Sequence, residues 1–533
     1  MQVEEFLEHS AEQTPAKTAL VCGEKRWTYA EVEASSNQLA HNLLAYGLQR
    51  WDRVVVFAPN CVETALAVFA TLKAAGVFVL VNPTTKPEKL AYIIKNCRAR
   101  QLITIGRLLS VVLAAADLAP NLQEIFVFGL PAERSSPISR PLELVRLESV
   151  LPAQSRERCA RKNIDIDLAA LIYTSGSTGQ PKGVMVTHLN IVSAATSITT
   201  YLENKPGDII LNVLPLSFDY GLYQLLMAFK VGGTLVLEPS FAYPYAIIET
   251  LIREEVTGFP IVPTVASILL QLNLANYRFP HLRYITNTAA ALPVEHIRKL
   301  RQLFPHVTVY SMYGLTECKR VSYLPPDQID RRPDSVGRGM PNEEVYIVDE
   351  QGKHAPTGTV GELVVRGSNV MKGYWELPEE TNKVLRPGPF PGERVLHTGD
   401  LFRADDEGYL YFVGRKDDII KTRGEKVSPR EVENVLHSHP SVAEAAVLGV
   451  PDVVLGNAVF CFVALKPGSS SSSEQELLRY CADHLEDFMV PAMLVIREAL
   501  PRSENGKIDK KILLAEATAL RQAEFPELAQ QSA

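Results

Sequence analysis

The chain has 533 residues, 46% of them apolar and 22% charged, and a formal net charge of -7. That length exceeds what one ordinary hydrophobic core organises and points to at least two domains. The composition is that of a soluble globular protein, and the acidic balance, with no run of lysine and arginine, argues against a nucleic-acid partner.

In chain order, the start Met1-Gln2-Val3-Glu4-Glu5 lacks the basic-then-apolar pattern of a signal peptide. Residues 29–46 read as a helix with Leu39 and Leu43 on one face, 54–57 as a strand, 63–73 as a helix and 77–81 as a strand. The longest apolar region, 65–81, contains Lys73 and is followed by Pro83 and Pro87. It fits a helix and a buried strand better than a membrane span, so no membrane partner is expected. Further short apolar runs at 102–105, 125–127, 168–172 and 209–214 continue an α/β rhythm with largely parallel buried strands. After about residue 345 the pattern changes to short strands and tight turns at 345–348, 362–365 and 409–414. The last hundred or so residues hold a smaller unit, with a helix at 431–437 and strands at 445–448 and 459–465. The expected fold is therefore a multidomain α/β protein. A large N-terminal domain of layered, partly parallel sheets and helices precedes a small mobile α+β domain. The seven cysteines show no CxxC spacing, so neither a disulfide framework nor a zinc site is indicated and a cytoplasmic location is expected.

The segment Thr174-Ser175-Gly176-Ser177-Thr178-Gly179-Gln180-Pro181-Lys182-Gly183 carries the chemistry. Glycines let successive backbone N–H groups converge, and hydroxyls and a lysine add donors, as a phosphate chain requires. The spacing is not that of the usual P-loop, whose lysine follows a glycine and precedes Ser or Thr.

This loop resembles the phosphate-binding signature of the AMP-forming adenylating superfamily, which includes acyl-CoA synthetases, carrier-loading adenylation domains and luciferases. Further matches follow in the family's order and extend the similarity over nearly the whole chain. They are Tyr313-Gly314-Leu315-Thr316-Glu317, Gly361-Glu362-Leu363, Gly373-Tyr374, Thr398-Gly399-Asp400, Gly414-Arg415-Lys416-Asp417-Asp418, the 421–427 segment, and Pro501-Arg502-Ser503-Glu504-Asn505-Gly506-Lys507. The resemblance implies ATP and magnesium as cofactors. Glu317 would bind the ion, and Thr174 and Lys182, with residues 175–179 and Thr316, would surround the phosphates. Tyr313 would stack on adenine, Asp400 and Arg415 would hold the ribose, and Phe412 would pack beside it. Taken alone, Glu317 also fits a solvent-facing glutamate, Tyr313 core packing, Asp400 an Asx turn and Lys507 a solvated loop lysine. By the resemblance Lys507 reaches the substrate carboxylate and the α-phosphate, offsetting charge that builds up during adenylation. The same resemblance sets the domains at 1–415 and 418–533, with a hinge at 416–417 pivoting on Asp417. In the second orientation the segment around Gly424 would face the thiol acceptor.

For the acid, Phe218-Asp219 matches a pair in amino-acid adenylation domains whose aspartate binds the substrate ammonium. Tyr220, Tyr223, Pro260, Ile285, Asn287 and Met312 are the other candidate lining positions, and two tyrosines favour a small substrate. Arg320 does not suit an apolar pocket and is read as free to point outward. The segments 217–221 and 313–320 are similar to those of stand-alone prolyl adenylation enzymes. They imply L-proline as substrate and a separate peptidyl carrier protein, through its phosphopantetheine thiol, as acceptor. Only 26 residues follow Lys507, so an enzyme acting in trans is expected. The alternative is an AMP-forming acyl- or aryl-CoA ligase using free CoA, in which Asp219 holds no amine. A non-catalytic binding module is disfavoured by Glu317, Asp400, Arg415 and Lys507 occurring together.

Overall fold

Helix boundaries follow local chemistry. The helix Tyr29–Ala45 starts at a capping box, in which the Thr28 side chain accepts from the Glu31 N–H while Glu31 returns a bond to the Thr28 N–H. The helix Val62–Lys73 is buried along nearly its whole length. Its terminal Lys73 is tolerated there because Glu33 pairs with it at 2.6 Å while Ser36 and Asn37 accept two more of its protons. The helix Asp219–Val231 ends at Gly232, whose left-handed backbone (φ 71°) closes the last turn.

The computed structural model describes residues 1–130, 142–174, 180–288, 290–416, 418–422, 425–452, 455–468, 472–503 and 507–524. Among these residues two large sheets dominate. An eight-stranded sheet contains Arg53–Phe57, Val77–Leu80, Gln101–Ile105, Glu124–Phe128 and Leu168–Thr174, and a nine-stranded sheet contains Ile209–Asn212, Gly258–Ile261, Tyr284–Asn287 and Thr308–Tyr313. Their inner strands are mostly parallel and buried. Helices Val62–Lys73 and Asp219–Val231 join the sheets into one core, where Phe69 stacks on Phe229 at 5.1 Å. A five-stranded sheet follows and includes Gly361–Gly367, Arg394–Ala404 and Leu410–Arg415. A small unit with separate cores then contains the hairpin Val442–Asp452 with Gly456–Leu465, strand Met493–Arg497, and helices Pro429–Ser438 and Glu474–His484. This is the large α/β domain with a smaller α+β domain expected from the sequence.

Strand Leu410–Arg415 is the last of the five-stranded sheet. Just after it the Lys416 N–H donates to the Gly399 carbonyl at 2.8 Å, and its ammonium lies 3.5 Å from Glu362. Burial opposes ionisation of Glu362, but His397 and Lys416 pull its pKa down to about 2. Asp417 and Gly424 lie outside the described residues. No helix among the described residues is long and apolar enough to cross a membrane.

Candidate active site

The segment 174–183 is framed by a β-hairpin. Strand Leu168–Thr174 pairs antiparallel with Lys182–Thr187, bringing Thr174 opposite Lys182. Residues 175–179, between them, lie outside the described residues. Lys182 is held at 2.6 Å by Glu380, and its ammonium sits 5.4 Å from the centre of the Tyr374 ring. Tyr374 also donates to Glu317 Oε1 at 2.7 Å. Lys182, Tyr374 and Glu317 thus form one polar cluster at the loop. No group of three His, Cys, Asp or Glu side chains able to hold a metal occurs among the described residues. Glu317 alone still fits a magnesium ion, which takes its other ligands from phosphates and water.

The turn 313–320 is tightly constructed. A Cβ on Gly314 would lie 2.2 Å from the Lys319 carbonyl oxygen, so only glycine permits this approach. Lys319 turns the chain with φ 71° and donates from its ammonium to the Thr316 carbonyl at 2.5 Å. Asn369 pins the outgoing backbone by donating to the carbonyls of Cys318 (2.7 Å) and Arg320 (3.1 Å).

Tyr313 donates its hydroxyl to Asp400 Oδ2 at 2.5 Å, and Arg415 Nε lies 3.6 Å from Asp400 Oδ1. Antiparallel register puts Asp400 directly opposite Arg415. Burial raises the Asp400 pKa, while Tyr313 and Arg415 oppose the rise. Phe412 lies 6.3 Å from Tyr313, its ring tilted 30° to it, and Phe402 closes the group at 4.9 Å from Tyr313. Tyr313 thus meets Asp400, Phe402 and Phe412, and through Asp400 also Arg415, which lie about ninety to a hundred positions on in the chain.

Lys507 comes from the small domain. Its neighbour Arg502 donates to Thr264 Oγ1 of the large domain at 2.6 Å. Lys507 is exposed as a residue, yet its ammonium lies 6.0 Å from the Phe218 ring centre. Crowding by protein lowers the pKa of that ammonium, against the pull of Asp219; Arg415 lowers it further and Asp400 raises it. The ammonium thus senses both the Asp219 region and the Asp400–Arg415 pair.

The acid region has a correction of register. Tyr220 shares a hydrogen bond of 2.7 Å with Thr286 Oγ1. Pro260 is the register partner of Thr286, and Tyr310, two residues before Met312, is its partner on the other side. Side chains alternate along strands. Pro260, Thr286 and Met312 therefore share the face of Tyr220, and Ile285 and Asn287 project to the opposite face. Thr286 is the residue that sequence reading missed. The sequence alone carries no signal for it, because the register between these strands is set by the fold.

Arg320 does not point outward. It is 2% exposed, and its guanidinium lies 4.6 Å over the Tyr220 ring. Asp219, itself buried, faces Tyr223 one helical turn on, and the neighbouring Lys319 is 1% exposed. Burial pushes the Lys319 ammonium down to about 8, with Asp219 and then Glu317 holding it up. Lys319 is a second cation at this site that sequence reading passed over.

The AMP-binding enzyme pattern matches residues 7–375, and its C-terminal domain pattern matches residues 431–507. The chain belongs to the AMP-binding enzyme family. This AMP-forming ligase is 32% identical over 542 residues to a long-chain-fatty-acid–CoA ligase of Bacillus subtilis, covering 97% of this chain and 94% of that one. It is 32% identical over 517 residues to tyrocidine synthase 2 of Brevibacillus parabrevis, covering 96% of this chain but 13% of that protein. An anthranilate CoA ligase solved with anthranoyl-AMP superposes with a TM-score of 0.88 at 27% identity, covering 98% of each chain.

Proposed function

We propose that this ligase activates a small carboxylic acid with ATP and passes the acyl group to the thiol of free CoA. In the first step a carboxylate oxygen attacks the α-phosphorus and pyrophosphate leaves. In the second, the thiol sulfur attacks the acyl carbonyl carbon and AMP leaves. Asp400 accepts the ribose hydroxyls, with Arg415 beside it, and Tyr313 and Phe412 supply the adenine and ribose packing. Thr174, Lys182 and Thr316, with Ser175, Gly176, Ser177, Thr178 and Gly179, surround the phosphates. Glu317 would hold a magnesium ion, which offsets phosphate charge when bound. Lys507 brings its ammonium between the acid carboxylate and the α-phosphate. Asp417 is the pivot that later turns Lys507 away, and the Gly424 segment then meets the acceptor thiol.

The relatives favour this over L-proline loading of a carrier protein: the chain covers 94% of a fatty-acid–CoA ligase and superposes on an anthranilate CoA ligase with a TM-score of 0.88, whereas it covers 13% of tyrocidine synthase 2. Pyrophosphate exchange across amine-free acids and the twenty amino acids tests it. Exchange is expected with an amine-free acid, and exchange with proline or another amino acid alone would overturn it.

A further inference from the structure

Arg320 occupies an unusual position for a cation. It is buried beside Tyr220 and Tyr223. Its only hydrogen bond among the described residues is to the Lys319 carbonyl (3.0 Å), and its Nε has no acceptor. No carboxylate among the described residues forms an ion pair with it. Glu343 is not that partner: it accepts from Asn369 at 3.1 Å and forms no ion pair with Arg320. Tyr223, 1% exposed, feels the charges of both Asp219 and Arg320, and its hydroxyl also lacks a partner.

Asp219 and Glu317 both act on Lys319, whereas Arg320 forms no ion pair with a carboxylate among the described residues. A guanidinium shut away from water without an anion is costly, and stacking on one tyrosine face compensates only part of that cost. A fork of donors with a free N–H matches a planar carboxylate better than any neutral acyl tail. The tyrosine hydroxyl beside it supplies one more donor.

We propose that Arg320 binds a second acidic group on the substrate, so that the preferred acids are short dicarboxylic acids. One carboxylate reacts near Lys507, and the other is held by Arg320 with Tyr223. This rests on the acid-activating role proposed above for the same pocket.

The experiment compares kcat/KM in pyrophosphate exchange for succinate, glutarate and phthalate, each against the monoacid lacking its second carboxylate: butyrate, valerate or benzoate. At least one diacid is expected to exceed its monoacid by tenfold or more. Arg320→Gln should collapse that ratio towards one or invert it, mainly through KM, and Arg320→Lys should restore part of it. Wild-type protein that uses monoacids as well as or better than every diacid would overturn the role of Arg320 while leaving acid activation standing. A fall in Arg320→Gln that is equal for both acids of a pair, with no change of ratio, would also overturn it. Exchange with amino acids alone would instead reject the underlying reading.

Discussion

In the role proposed for Lys507 two demands compete: the ammonium must stay charged, and it must leave water to reach the reacting groups. Crowding lowers its pKa, and Asp219 and Asp400 counter that. Lys507→Ala is expected to reduce pyrophosphate exchange about 100-fold or more, as for removal of one group that stabilises transition-state charge. Transfer from preformed acyl-adenylate should fall far less, and equal losses in the two half-reactions would contradict the role. Asp219→Ala separates the two readings of that residue. As a counter-ion to Lys319 and Lys507, its loss should impair exchange with amine-free acids. As a ligand for a substrate ammonium, its loss should affect only amino acids. Steady-state assays with both substrate types decide between them.

Among the elements, the helix Asp219–Val231 depends on how closely its first turn approaches the preceding loop. A Cβ on Gly221 would lie 2.3 Å from the Pro215 carbonyl oxygen. Gly221→Ala must therefore shift the turn that carries Asp219, Tyr220 and Tyr223. Overpacking of this kind costs about 1–3 kcal/mol. A lower melting temperature together with a raised KM for the acid is expected, and wild-type values in both would show that the turn can give way without moving the site. The strands and helices of the large domain were legible because buried parallel strands are short continuous apolar runs: Val54, Val55 and Val56 are all buried. The motif glycines and carboxylates were legible by resemblance, and the antiparallel register that sets Asp400 opposite Arg415 is seen only in the fold. Thr286 was not legible, because selecting Ile285 and Asn287 required knowing which face of a fully buried strand meets Tyr220. Lys319 was passed over and Arg320 misread for a different reason. Charged side chains are rarely buried, and only the fold of the 313–320 turn, fixed by Gly314 and Asn369, reveals that these two are.

For the whole molecule, the relation of the two domains should respond to pH. His296 of the large domain and His437 of the small one meet with ring centres 5.9 Å apart. Burial lowers each to about 4; His437, Lys299 and Lys466 reinforce the effect at His296, where Glu295 opposes it, and Lys466 does so at His437. Free histidine titrates near 6.5, so separated domains bind more protons than joined ones between about 6.5 and 4. Above 6.5 the pair imposes no penalty, and joining weakens as pH falls through that window. Small-angle scattering at pH 7.5 and 5.0 should show a more extended molecule at the lower pH. His296→Phe should reduce the difference, and an unchanged profile in both proteins would contradict the assignment. Asp417→Pro is expected to decouple the half-reactions, because proline fixes φ near -65° at the proposed pivot. Wild-type rates in both half-reactions would place the pivot elsewhere.

The central claim is a two-step ligation to free CoA. Its most direct measurement is product analysis of the wild-type protein with ATP, magnesium, CoA and an acid that supports exchange, in the absence of any carrier protein. The account predicts AMP, pyrophosphate and an acyl-CoA thioester in equal amounts. ADP with orthophosphate, or AMP release with a thioester formed only on an added carrier protein, would contradict it.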